Sequence, residues 1–102
     1  MADDEVRPFR IDVPDSVLED LRDRLARTRW PDQIPNSSWE YGTDIEYLRD
    51  LCEHWQTKFD WRAQERKLNQ FEQFTTTIDG LTVHFIHRRS KNPNALPLLI
   101  TH

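Results

Sequence analysis

The stretch "FTTTIDGLTVHFI", residues 74–86, decides the fold class, because the hydrophobic pattern changes here from a helical period to a period of two. Two alternating segments flank Asp79-Gly80, and a two-residue Asp-Gly connection is a strong short-range signal for a β-hairpin. Before this stretch the apolar residues recur at helical spacing. We therefore predict an α+β fold, with helices first and a hairpin after residue 73.

The helical part contains three predicted helices, each with apolar residues on one face. The first helix carries Val17, Leu18, Leu21 and Leu25 on that face, and the second carries Ile45, Leu48, Leu51, Cys52, Trp55 and Phe59. The third is capped by Asp60 and turns Trp61 and Leu68 inward.

Capping residues are predicted from spacing. Ser16 with Glu19, and Thr43 with Glu46, have the spacing of a capping box, and Asp15 is an alternative cap for the first helix.

Extended segments are predicted at both ends of the chain. Residues 8–14, "PFRIDVP", alternate apolar and charged side chains between two prolines, which suits an edge strand or an isolated extended segment. Residues 96–101, "LPLLIT", form a continuous apolar run, typical of a strand covered on both faces in a parallel sheet. Such a strand needs neighbours that nothing else in the sequence is long or apolar enough to provide. We expect it to pair with another chain, to be disordered, or to require further sequence.

Composition excludes several classes of protein. The chain has 102 residues with 18 acidic and 14 basic side chains, a net charge of -4, which argues against a nucleic-acid partner. Cys52 is the single cysteine, so an intramolecular disulfide and a zinc site built on cysteine alone are excluded, and a reducing intracellular setting is expected. The polar N-terminus has no apolar run that predicts a signal peptide or a membrane span. With 36% hydrophobic residues, we expect a thin core.

The histidines, the cysteine and the basic cluster do not have the spacing of a metal or phosphate site. His84 and His87 are three apart on a predicted strand and point to opposite faces, so they cannot chelate one ion. Cys52 and His54 lie about 200° apart around a helix and fail the same test. The positive cluster in residues 87–91 adjoins no glycine-rich loop or helix start that predicts a phosphate site. The residues themselves indicate no catalytic group, no metal and no cofactor.

The chain as a whole nevertheless resembles the N-terminal domain of microsomal-type epoxide hydrolases, in the α/β-hydrolase superfamily. The resemblance rests on "PFRIDVPDSVLEDLRDRL", "TRWPDQ", "WEYG", "YLRDLCEHWQTKFDWRAQERKLNQF" and "FTTTIDGLTVHFIH". Glu72 departs from it, since the family commonly has proline there. His102 matches the histidine that opens the family's Gly-Trp-Pro-Gly loop, which supplies a backbone amide to the oxyanion hole. The resemblance thus implies a fragment: residues 1–73 form the helical N-terminal region, and residues 74–102 form the first strands of an incomplete hydrolase core.

The resemblance also implies a function for the larger protein. Such enzymes add water to epoxides to give vicinal diols: an aspartate attacks the epoxide while lid tyrosines bind its oxygen, and a histidine then activates water to hydrolyse the ester. All of these groups lie downstream of the Gly-Trp-Pro-Gly loop, so no catalytic residue is assigned within residues 1–102.

We therefore expect a catalytically inert structural part of a cytoplasmic detoxifying hydrolase, which packs against the hydrolase core and lid. We expect an epoxide substrate to bind only through the catalytic part, which lies outside these residues. No membrane partner is expected, and a homo-oligomer is possible. The alternative is a stand-alone helical interaction module.

Overall fold

The computed structural model describes residues 5–102. It contains three helices and three strands, which confirms the predicted α+β composition. In chain order the elements are β1 (Arg7–Phe9), α1 (Asp15–Ala26), α2 (Ile45–Thr57), α3 (Trp61–Leu68), β2 (Gln73–Ile78) and β3 (Leu81–Ile86).

The chain divides into two compact units. One unit, Asp12–Gln64, holds α1 and α2, and the boundary falls inside α3. The other unit joins Glu65–His102 with the segment that ends at Ile11, and it holds the sheet. The predicted boundary between residues 73 and 74 concerns a larger protein and stays a prediction.

The sheet is antiparallel, in the order β1-β2-β3, and its centre is the predicted hairpin. The register pairs Gln73 with Ile86 and Ile78 with Leu81. Asp79 and Gly80 have φ values of 50° and 77°. Two positive φ values in a two-residue loop define a type I′ turn, whose twist matches that of the flanking strands. The Asp-Gly signal is therefore confirmed.

β1 is an edge strand, which was one of the two alternatives predicted for residues 8–14. It ends at Phe9, sooner than the alternating pattern indicated. Pro8 pairs with Phe74, a position that an edge strand tolerates because proline cannot donate to a ladder. Past the end of β1, the side chain of Asn69 takes the place of a neighbouring strand. Its Oδ1 accepts from the Ile11 N–H at 2.9 Å, and its Nδ2 donates to the Ile11 carbonyl at 2.8 Å.

Neither predicted capping box forms. Helix α1 begins at Asp15 after Pro14, with no side-chain cap, so Ser16 lies within the first turn and cannot act as the cap. Helix α2 is capped by Asp44, whose carboxylate accepts from the Tyr47 N–H at 3.2 Å. Thr43 therefore lies one residue before the cap.

The start of α2 is held in place by a second side chain, and α3 has the cap that was predicted for it. Gln33 donates from Nε2 to Asp44 Oδ1 at 3.1 Å and accepts from the Ile45 N–H at 2.6 Å. Asp60 accepts from the Ala63 N–H at 3.0 Å, which confirms the predicted start of the third helix.

The buried positions are polar. Within residues 5–102 no apolar side chain is buried, and the buried residues are Ser37, Glu65 and Gln73, at 7%, 8% and 5% exposure. Gln73 donates from Nε2 to the Leu68 carbonyl at 2.7 Å, so it joins the end of α3 to the sheet. The expected thin core is thus thinner than composition alone indicated.

The apolar run at residues 96–101 forms no strand within the described chain, which shows only turns and irregular backbone after β3. A strand requires hydrogen-bonded neighbours, and no described strand pairs with this segment. Its leucines and isoleucine are among the most exposed apolar side chains: Leu96 at 92%, Leu98 at 83%, Leu99 at 88% and Ile100 at 79%. None of the described helices is long and apolar enough to cross a bilayer.

Candidate functional site

An apolar groove with a volume of about 580 Å³ lies between α1 and α2. Most of its lining comes from the apolar faces predicted for these helices, and Val13, Phe59 and Trp61 contribute from outside α1 and α2. The apolar residues that line it are Val13, Val17, Leu18, Leu21, Leu51, Trp55, Phe59 and Trp61. We refer to this feature as the α1–α2 groove.

The apolar face of α2 divides into two rows of residues. Leu48 and Cys52 are half-buried, whereas Leu51 and Trp55 remain 45% and 46% exposed. The exposed row, Leu51 and Trp55, forms one wall of the α1–α2 groove. Fully burying a large apolar side chain stabilises by about 1.5–3 kcal/mol, and these residues obtain only part of that gain.

Two basic side chains, Arg22 and His54, complete the lining, and among residues 5–102 no acidic side chain contributes to it. The Arg22 side chain makes no hydrogen bond or ion pair within residues 5–102. Arg24, two residues further along α1, pairs with Asp20 at 2.8 Å. The α1–α2 groove thus combines apolar walls with a guanidinium that has no partner among the described residues.

Polar and aromatic contacts hold the elements of this unit in place. Arg62 at the start of α3 donates to Asp15 at 2.6 Å, which ties α3 to the first residue of α1. The Arg49 guanidinium lies 5.7 Å from the centroid of the Trp30 ring. The rings of Trp39 and Tyr47 have centroids 5.1 Å apart. These contacts account for two of the tryptophans by packing, and the other two line the α1–α2 groove.

The histidines considered from the sequence have separate surroundings. His84 lies on β3, and its Nε2 is 2.9 Å from Gln73 Oε1. The Gln73 Nε2 donates to the Leu68 carbonyl, which leaves Oε1 facing the ring, and since this oxygen only accepts, the His84 Nε2–H is the donor. Its ring meets Phe9 edge-on at 5.1 Å. His87 follows the end of β3, and its backbone N–H donates to the Glu72 carbonyl at 3.2 Å. In the part of the chain that the structure describes, no group of three or more potential ligands could hold a metal ion.

The remaining predicted positions are exposed. His102 lies outside every helix and strand, and nothing in the structure tests its predicted place beside an oxyanion hole. Residues 87–91 form an exposed segment. The sequence did not show that Arg22 and His54 line the α1–α2 groove. The available signal was that Arg22 lies four residues after Leu18, on the edge of the apolar face.

A family model described as "Epoxide hydrolase N terminus" matches residues 6–102 of this chain. The chain is 47% identical over 97 residues to a "Putative epoxide hydrolase" of Stigmatella aurantiaca, covering 95% of this chain and 22% of that relative. It is 35% identical over 104 residues to "Epoxide hydrolase 1" of Sus scrofa, covering 98% of this chain and 23% of that relative.

Solved structures agree with this likeness. The structure of Aspergillus niger epoxide hydrolase superposes with a TM-score of 0.82 at 35% identity, over 94% of this chain and 26% of that chain. The juvenile hormone epoxide hydrolase of the silkworm Bombyx mori superposes with a TM-score of 0.80 at 25% identity, over 90% of this chain and 24% of that chain. The chain therefore spans about a quarter of the length of the proteins it matches.

Proposed function

The chain belongs to the epoxide hydrolase N-terminal family, and from this membership we propose that it is the N-terminal structural part of an epoxide hydrolase. In this proposal the larger protein adds water to epoxides to give vicinal diols. The 102 residues bind no substrate themselves. They pack through their exposed apolar surface against the remainder of the hydrolase.

The observation that carries this proposal is the absence of any buried apolar side chain in residues 5–102. Apolar side chains that pack inside a domain are normally removed from water, and large exposed apolar patches mark interaction surfaces. Here exposed apolar side chains lie on α1 and α2, on the loop between them, on β2 and β3, and in the segment 96–100. A structural part that is covered by the rest of a larger protein explains this distribution.

The catalytic assignments of the family do not extend onto these residues. No residue of this chain is proposed as nucleophile, lid hydroxyl or water-activating base. We propose that His102 leads into the oxyanion-hole loop, on the strength of the family match that extends to this residue. A cytoplasmic location and a role in detoxification stay predictions, and cell fractionation tests the first of them.

The experiment co-expresses the 102-residue chain with the part of the Stigmatella aurantiaca relative that lies outside the matched segment. Styrene oxide is the substrate, and diol formation and co-purification are measured. We expect no diol above the buffer rate from either part alone, and diol formation from the co-purified pair. Heat-sensitive diol formation by the chain alone contradicts the proposal. Failure of the two parts to associate also contradicts it and favours the stand-alone interaction module.

A further inference from the structure

The walls of the α1–α2 groove have the geometry of helix packing. Val17 and Leu21 lie one turn apart on α1, and Leu51 and Trp55 lie one turn apart on α2. Residues four apart form the ridges that interdigitate when helices pack. Two such ridges therefore face the same groove, and the space between them suits a third ridge of the same kind.

The size of the α1–α2 groove suits an inserted row of side chains. Its volume of about 580 Å³ is that of several large apolar side chains, and it is open to solvent along the helices. A known mode of recognition places the apolar face of an amphipathic helix in such a groove, with anchors at successive turns. A drug-sized molecule of similar volume is normally enclosed on most sides. The helix is therefore the better fit.

Charge identifies which helix fits. The chain carries 18 acidic and 14 basic side chains, yet within the described part of the chain the charged or ionisable lining residues are Arg22 and His54. A guanidinium beside an apolar wall loses hydration when the wall is covered, and it then needs a carboxylate. The partner must therefore present an acidic side chain next to its apolar face.

We infer that the α1–α2 groove receives an amphipathic helix from the remainder of the hydrolase, with a carboxylate of that helix paired to Arg22. The inference rests on the proposed function, because it names the segment that covers part of the exposed apolar surface. The carboxylate fixes the register of the helix in the groove, and the ridges supply the buried area.

The test uses the co-purified pair described above. In an Arg22→Lys variant, a zero-length carbodiimide cross-linker joins the new amine only to a carboxylate in direct contact. Peptide mass spectrometry then identifies the linked residue. Arg66→Lys is the matched control, because Arg66 is exposed on α3, lies outside the groove and makes no ion pair within residues 5–102. A link from position 22 to an aspartate or glutamate in a helix of the hydrolase part is the expected result.

A second measurement reports affinity. Arg22→Glu places like charges together and is expected to weaken association of the pair on the order of tenfold. Arg66→Glu is expected to leave it unchanged within a factor of about three, the range of an exposed charge. The inference is overturned by equal effects at the two positions, by no link at position 22, or by a link from position 22 to a second copy of this chain. If an active pair forms with any of these results, the proposed function stands and this inference fails.

Discussion

Asn69 provides the sharpest test of how the extended N-terminal segment is held. Its side chain makes both a donor and an acceptor contact with the backbone of Ile11, at 2.8 and 2.9 Å, in place of a strand neighbour. Asn69→Ala removes both contacts and leaves two part-buried backbone groups without their partner. A typical hydrogen bond contributes about 0.5–1.5 kcal/mol net, so we expect the free energy of unfolding to fall by about 2 kcal/mol.

The loss is large for this chain. Domains of this size are stable by about 5–15 kcal/mol, and a chain with no buried apolar side chain within residues 5–102 belongs near the lower end. With a urea m-value of about 2 kcal/mol/M, the unfolding midpoint should fall by about 1 M. Circular dichroism during urea titration measures this shift.

Two further variants separate the contact from general effects of substitution. Asn94→Ala changes an exposed loop residue and should leave the midpoint unchanged. Asn69→Asp keeps an acceptor for the Ile11 N–H, but it cannot donate to the Ile11 carbonyl. It should therefore lower the free energy of unfolding by at least half as much as Asn69→Ala does. A change below about 0.5 kcal/mol for Asn69→Ala would refute the reasoning, since water would then replace the side chain without cost.

Two other predictions compare the exposed C-terminal segment with the helices. Leu99, at 88% exposure, lies in an apolar segment without a hydrogen-bonded neighbour, so Leu99→Lys should reduce self-association of the chain in sedimentation experiments. An unchanged association constant would show that this segment does not drive self-association. Native-state hydrogen exchange should give stronger amide protection within residues 17–26 and 45–57 than at 98–100, because the helical amides are hydrogen-bonded within their helices whereas segment 98–100 pairs with no described strand. Stronger protection at 98–100 than in the helices would contradict this.

The hairpin was predictable because its determinants are local. Asp79 and Gly80 adopt the two positive φ values that their residue types favour, and the alternating pattern on either side fixes the register. The helix starts were less predictable. Ser16 has the right residue type for a cap, but the chain is already helical at Asp15, so its position in the turn is wrong for capping. Spacing alone does not show where a helix begins.

The end of β1 and the α1–α2 groove depend on residues far apart in the chain. Asn69 binds Ile11 across 58 positions, and no pattern near Ile11 indicates this contact. The apolar face of α2 was found correctly, but the sequence does not show how much of it α1 covers. Leu51 and Leu48 look alike in the pattern, and only the tertiary structure shows that Leu51 is exposed and Leu48 half-buried.

The absence of buried apolar side chains in the described residues has a thermal consequence. The heat-capacity increase on unfolding comes mainly from apolar surface that becomes hydrated, and it is usually about 12–15 cal/mol/K per residue. In this chain much of that surface is hydrated before unfolding, so the increment should be smaller and the curve of stability against temperature flatter. The missing heat capacity should reappear when the surface is covered, as a strongly negative heat-capacity change of association. Cooling would then weaken the assembled protein more than the isolated chain.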